Sequence, residues 1–574
     1  MLAVMRKCPG LCLLLLLFLV VVGFIGPVRE MMTGDDGWAY ALSVRHLLTT
    51  GEYRLHNWAT ANMPVQIYLG ALLAHMFGYS FTMLRFSTII LLLVGLIAFY
   101  HLLRDFNVKD AEASLLTLAV LANPLVLFLS FTFQTDVQFL GWQILALWLY
   151  TRALRQESYP VMALASMAAF AATGTRQFGA ALVAGLCFTW LLLERHRLRQ
   201  APLYLLGLIL PLLMTLWQIS FGVSQPTFSQ KIRLAEQSAY LRDLPNFAAE
   251  ILWRPTIILQ YLGLFLLPLA PLLVVLVRNS LDTRDWESRQ EVSGKLQISR
   301  SSLWLLAAWT IYIAAGVCYG YLFFLSDFLM PSLPWLFRSQ SLLEPFFPSG
   351  FEKRLAVTIL ACGFAVGLGW LLSRKYLGRR GWKNRPPAEC FVMLSGLTLL
   401  CLHLLYVQFN DVYLIQFVPF AVFALGQMLH IWPGWCKVLT AVSCLLMLSV
   451  SCLWSRANLA NAEANWQAAE IARSAGAASQ QIGGNMTWSC YHGAFDDWIA
   501  EVGGWQAAGR YGRAQRLETF FDFLNKRYDH AECVITSSLR DTPANSWRLL
   551  RRVEYKDKWL RQRRIYLLMR TTPK

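Results

Sequence analysis

The chain is a succession of long apolar runs, and that succession decides its solvent. Crossing a bilayer as a helix takes about 20 mostly apolar residues, because no water is present there to satisfy an open backbone. By that criterion the 574 residues hold about thirteen such runs. They centre near Leu17, Leu92, Val120, Ile144, Ala168, Cys187, Leu210, Leu264, Tyr312, Phe364, Leu399, Phe420 and Cys444. Only 15% of residues are charged, against about 25% in soluble domains. A water-soluble enzyme and a disordered chain are both excluded. The first run, Leu11 to Val28, follows Arg6 and Lys7 but has no small-residue cleavage site. It reads as a retained helix, not a signal peptide. The fold class predicted is an all-α polytopic membrane protein.

The net charge of +17 gathers in alternate loops. One set holds Arg6 and Lys7, Arg104 and Lys109, Arg152 and Arg155, Arg195 to Arg199, Arg278 to Arg300, Arg374 to Arg385, and Lys437. Basic loops stay on the cytoplasmic side, so the excess argues for orientation and against a nucleic-acid partner. The N-terminus is then cytoplasmic, and about thirteen spans leave the C-terminus outside.

Residues 1–455 form the membrane domain on this reading, with 29–81 as its first outer loop. Residues 456–574 form a polar tail. Its helix-like stretches are Asn458 to Ser474 and Ala514 to Arg527. Its strand-like runs are Cys533 to Ser537, Trp547 to Tyr555 and Arg564 to Arg570. The expectation is a small α/β domain outside the membrane. Cys490 and Cys533 are the two cysteines of this tail, and they can pair only in an oxidising compartment.

Chemistry-bearing residues stand where apolar runs meet the outer loops. Asp35 and Asp36 are adjacent at the start of the first outer loop. They suit either a helix N-cap or a general base at a membrane-face site, with a metal as an optional aid. Asp136 lies in a very short outer turn, where an ionised group is costly without a partner. It reads as an interfacial cap or as a second acid. Arg85 and Arg176, the latter followed by Gln177, are at outer helix ends. Arginine binds phosphate through a fork of donors, and it also snorkels to headgroups. Asp411 and Tyr413 occupy the last outer turn. The histidines show no zinc-binding spacing.

Taken in order, these residues resemble the type C glycosyltransferase superfamily, in its bacterial protein mannosyltransferase and aminoarabinose transferase branch (family 39). The motifs are Asp35-Asp36 with Tyr40-Ala41, Met63-Pro64 through Gly70, Phe77-Gly78 with Leu84-Arg85, Asn123-Pro124, Thr135-Asp136-Val137, Thr175-Arg176-Gln177, and Asp411-Val412-Tyr413-Leu414 with Pro419. The resemblance implies the type C fold in a bacterial inner membrane, with the tail as a periplasmic domain. It implies sugar transfer from a polyprenyl-phosphate donor to a glycan, lipid or protein acceptor. On it, Asp35 and Asp36 supply the base and Asp136 positions the acceptor. Any divalent cation falls to Asp35 or Asp136. Arg85 and Arg176 hold the donor phosphate, with Gln177, Asp411 and Tyr413 lining the substrate site. Direct displacement inverts the anomeric carbon, and no second nucleophile is in view. Two positions depart from the pattern: Met63 stands where a lysine is usual and Val412 where an arginine is usual. Both argue against simply transferring the aminoarabinose substrate. The rival reading is a transporter or flippase of lipid-linked glycans. Such proteins place polar groups near the midplane on broken helices, often within repeats. Here the charges gather at one face and no internal repeat is present.

Overall fold

The computed structural model describes residues 8–33, 36–195, 198–281, 300–318, 351–376, 385–407, 410–428, 432–503, 513–537, 547–557 and 560–571. These form an array of helices followed by one small sheet. The array begins with α1 (Pro9–Ile25), α2 (Gly37–Thr50), α3 (Pro64–Phe77), α4 (Phe81–Asp105), α5 (Asp110–Ala122), α6 (Pro124–Ser130), α7 (Thr135–Gln156), α8 (Tyr159–Thr175) and α9 (Ala180–Thr189). It continues with α10 (Ala201–Ser224), α11 (Phe228–Arg242), α12 (Leu244–Phe265), α13 (Ala270–Leu281), α14 (Arg300–Cys318), α15 (Phe351–Tyr376), α16 (Pro387–Leu405), α17 (Asp411–Leu414), α18 (Val418–Gly426) and α19 (Gly434–Ser474).

Five described helices are long and apolar enough to cross a membrane: Phe81–Asp105, Gln177–Glu194, Leu198–Ser224, Pro387–Leu405 and Gly434–Ser474. Two bent pairs raise the number to seven if each is one span. The first of these is α5 with α6, which meet at 68°. Asn123-Pro124 explains that break. Proline brings no N–H and pushes its predecessor out of the helical region. Asn123 takes φ −59° and ψ 124°, and its side chain caps Leu125 N and Val126 N. The run near Tyr312 lies in α14.

Helices approach closely where glycines face each other. A Cβ on Gly141 of α7 would sit 2.4 Å from the Leu91 carbonyl of α4. One on Gly95 would sit 2.9 Å from the Gly141 Cα. This small-residue contact lets backbones pack without a hydrophobic driving force. The α4–α7 pair and the α7–α8 hairpin form the core beneath the site.

α19 runs without a break from Gly434 to Ser474, about 60 Å at 1.5 Å per residue. It carries the chain out of the apolar region and into the tail, so the expected boundary at 455 falls inside one helix. The tail adds α20 (Met486–Tyr491), α21 (Ala494–Glu501) and α22 (Arg513–Asp529). Its strands are β1 (Ile482–Gly483), β2 (Cys533–Thr536), β3 (Trp547–Lys556) and β4 (Gln562–Arg570). The sheet order is β1-β2-β4-β3, with β1 parallel to β2 and the other pairs antiparallel. Alternation sets the faces: Cys533 and Ile535 point inward and are buried. The expected small α/β unit is present. Cys490 and Cys533 are buried and unbridged.

Candidate active site

The site forms where several helix ends converge. α7 and α8 run in opposite directions, so the start of one and the end of the other share a level. That brings Asp136 and Arg176, forty residues apart in sequence, into a direct ion pair. Arg176 Nη1 donates to Asp136 Oδ1 at 2.5 Å. Asp136 is 3% exposed. A carboxylate this deep requires such a partner. Arg176 also lies over the Tyr413 ring, 4.5 Å from its centroid. Asp136, Arg176 and Tyr413 thus form one contact group from three separate sequence motifs.

Asp36 stands at the N-cap position of α2, yet its side chain caps nothing. Its Oδ1 accepts from the Trp58 indole Nε1 at 2.6 Å. The carboxylate is therefore turned away from a capping role. Tyr40, one turn into α2, is 4% exposed. Burial, then the charge of Asp36, pushes its hydroxyl well above the ordinary tyrosine value, and it feels Arg176 and Asp136 as well. Tyr40 therefore stays a neutral hydroxyl among two carboxylates and a guanidinium. Asp35 lies outside the described residues.

Arg85 has a different place. It is 2% exposed and donates to the carbonyls of Phe131 at 2.7 Å, Pro27 at 2.7 Å, Arg29 at 3.0 Å and Met31 at 3.0 Å. These bonds fasten the segment leading to the acidic motif onto the turn before Asp136. Asp411 is fully buried at the start of α17, and Gln177 is exposed beside Arg176.

The structure adds residues that the sequence did not single out. Arg254 of α12 donates to the carbonyls of Tyr406 at 2.5 Å and His403 at 3.5 Å and to Glu250 Oε2 at 2.6 Å. It organises the last outer turn as Arg85 organises the first. Arg233 of α11 is close enough to bear on Tyr413 electrostatically. Its Nη1 makes no hydrogen bond among the described residues and lies 3.5 Å from Glu236 Oε2. A charge inside the apolar stretch Leu252-Trp253-Arg254-Pro255 is a usable signal for Arg254. Arg233 offers none.

A polar network sets the height of Arg176. Gln218 Nε2 donates to Thr173 O at 2.7 Å and Asn62 O at 3.2 Å. Asn62 Nδ2 donates to Gln218 O at 3.0 Å, and Gln230 Nε2 donates to Asn62 Oδ1 at 2.8 Å. Loop 59–62, the ends of α8 and α10, and the capping box of α11 are tied together by these bonds. Among the described residues no group of three His, Cys, Asp or Glu could hold a metal ion. Asp36 accepts from an indole N–H and Asp136 from a guanidinium.

Arg85, Asp136 and Arg176 all lie in the stretch that comparison with known families picks out. Residues 61–219 match the family described as dolichyl-phosphate-mannose-protein mannosyltransferase. The match covers the central part of the type C glycosyltransferase resemblance carried by the motifs. Comparison with curated proteins gave no match. Among solved structures, the chain is similar to ArnT from Cupriavidus metallidurans bound to undecaprenyl phosphate, at 16% identity over 97% of each chain with a TM-score of 0.39. The apo form of that protein is similar at 16% identity over 98% of each chain, TM-score 0.40. The arabinosyltransferase EmbB from Mycobacterium smegmatis is similar at 15% identity over 80% of this chain and 42% of its own, TM-score 0.29.

Proposed function

We propose that this chain is a membrane glycosyltransferase that moves a sugar from a polyprenyl phosphate to an acceptor hydroxyl at the outer face of a bacterial inner membrane. The observation that carries the reading is the group Asp36, Tyr40, Asp136, Arg176 and Tyr413, gathered at one end of the helix array. A polyprenyl phosphate cannot leave the bilayer, so its chemistry must occur at such a level.

The acid pair Asp35 and Asp36 takes the proton of the acceptor hydroxyl as its oxygen attacks the anomeric carbon. The bond from that carbon to the phosphate oxygen breaks, and the polyprenyl phosphate leaves as an anion. One displacement inverts the carbon. Arg176 faces the leaving charge. Asp136 takes one of its five donors, which leaves the others for a phosphate, and Arg233 adds a second cation. Asp136 fixes the guanidinium, and Tyr413 backs its face. Arg85 holds the loop that carries the acids rather than the phosphate itself. The tail is the outer domain of the enzyme.

Undecaprenyl phosphate, the leaving group of such a donor, tests the anion site. Arg176→Lys keeps a positive charge beside Asp136 but loses the planar fork. It should weaken binding of undecaprenyl phosphate by roughly tenfold, about 1.4 kcal/mol. Equal affinity in the two proteins would remove Arg176 from the phosphate site.

A further inference from the structure

The acid loop is held from behind by the C-terminal domain, and the hold ends on a catalytic carboxylate. α21 presents Phe495 and Trp498 on one face, three residues apart as helix neighbours should be, and both are buried. Phe495 meets the Trp58 ring edge-on at 4.8 Å. Phe520 of α22 lies 6.1 Å from the same indole, and Trp38 of α2 lies 5.7 Å from it.

The next residue, Asp496, grips the chain just before Trp58. Its Oδ1 accepts from Asn57 Nδ2 at 3.1 Å, and its Oδ2 lies 3.2 Å from His56 Nε2. His56 Nδ1 accepts from the Trp58 backbone N–H at 3.2 Å, so Nε2 carries the proton that faces Asp496. Those two contacts draw the Asp496 carboxyl below its ordinary value. Phe228, at the start of the helix bearing Arg233, rests on the same two α21 rings at 5.8 and 5.9 Å. One short helix of the tail therefore touches both the acid side and the cation side of the site.

We propose that Trp58 is a positioning residue through which α21 fixes the Asp36 carboxylate. The indole is clamped by Phe495, Phe520 and Trp38, and its single donor is aimed at Asp36 Oδ1. The C-terminal domain is then part of the catalytic apparatus. This inference rests on the reading that the acid pair supplies the base.

Two measurements on the full-length protein in lipid nanodiscs test it. The first needs no substrate. In ¹⁵N-tryptophan-labelled protein, the Trp58 indole resonance is assigned by its loss in Trp58→Phe. It should shift in Asp36→Asn and exchange with solvent faster in Phe495→Leu than in wild type. A resonance unmoved by both changes would overturn the proposal.

The second is steady-state turnover of polyprenyl-phosphate sugars. Trp58→Phe keeps the packing and removes only the donor. It should lower kcat by roughly tenfold, the scale of a lost hydrogen bond to a charged group. The donor KM should stay within about twofold. In an Asp36→Asn background the same change should have no further effect, because the two act as one unit. Wild-type kcat in Trp58→Phe beside an impaired Asp36→Asn would overturn the positioning role and leave the base assignment standing. A fully active Asp36→Asn would overturn the base assignment, and this inference with it.

Discussion

Charged residues in this chain are visible in sequence because their surroundings are not polar, but their partners are not. Asp136 and Arg176 each stand out where a hydrophobic run should continue. Nothing in a linear pattern says that they bond each other across forty positions. Removing one leaves the other buried and uncompensated. Arg176→Ala should therefore destabilise the protein by about 3–5 kcal/mol, read as a lowered thermal midpoint in nanodiscs. The paired change Asp136→Asn with Arg176→Gln should recover part of that loss. Arg85 teaches the opposite lesson. Its position at an outer helix end was legible, but its role was not. Four backbone carbonyls accept from it, and no side-chain spacing encodes them. Trp58 gives no signal at all, since one indole among 22 tryptophans looks like any other interfacial anchor.

Elements were easier to read than contacts. The three strand-like runs of the tail fall within two residues of β2, β3 and β4. Asn123-Pro124 marked a motif and turned out to be the corner between α5 and α6. The far end of α19 was read as a new helix at Asn458, because apolar periodicity stops near Trp454. Good helix formers such as Ala457, Ala460, Ala462 and Glu463 carry the same helix on. The crossing of α4 and α7 depends on Gly95 and Gly141. Gly141→Leu forces a side chain into the Leu91 carbonyl and should cost about 1–3 kcal/mol. Gly23, whose Cβ would meet nothing within 4 Å, provides the control: Gly23→Ala should change stability little. Thermal unfolding of the two variants side by side checks the difference.

At the scale of the whole molecule, the packing of the tail responds to pH. His492 packs on Trp488 at 4.3 Å. Burial, then Arg473 and Arg45, lowers its folded value from 6.5 to about 4. Its unfolded value is near 6.5, so between those limits the unfolded chain binds the proton and the folded chain does not. The contribution of His492 to stability is full above about pH 6.5 and falls as pH drops toward 4. His492→Gln should flatten that dependence, measured as thermal midpoint against pH. A wild-type midpoint that rises on acidification through this window would contradict it.

The central claim is that the acids of the first outer loop drive sugar transfer from a lipid phosphate. Donor turnover tests it most directly. Wild type and Asp35→Asn, each reconstituted in lipid, are given a panel of polyprenyl-phosphate sugars with membrane extract as the acceptor source, and released polyprenyl phosphate is counted. The account predicts release by wild type and a loss of roughly 10²–10⁴-fold in Asp35→Asn with the fold intact. Near-normal release by Asp35→Asn, or a wild type that moves labelled donor across sealed vesicles without consuming it, would contradict the account.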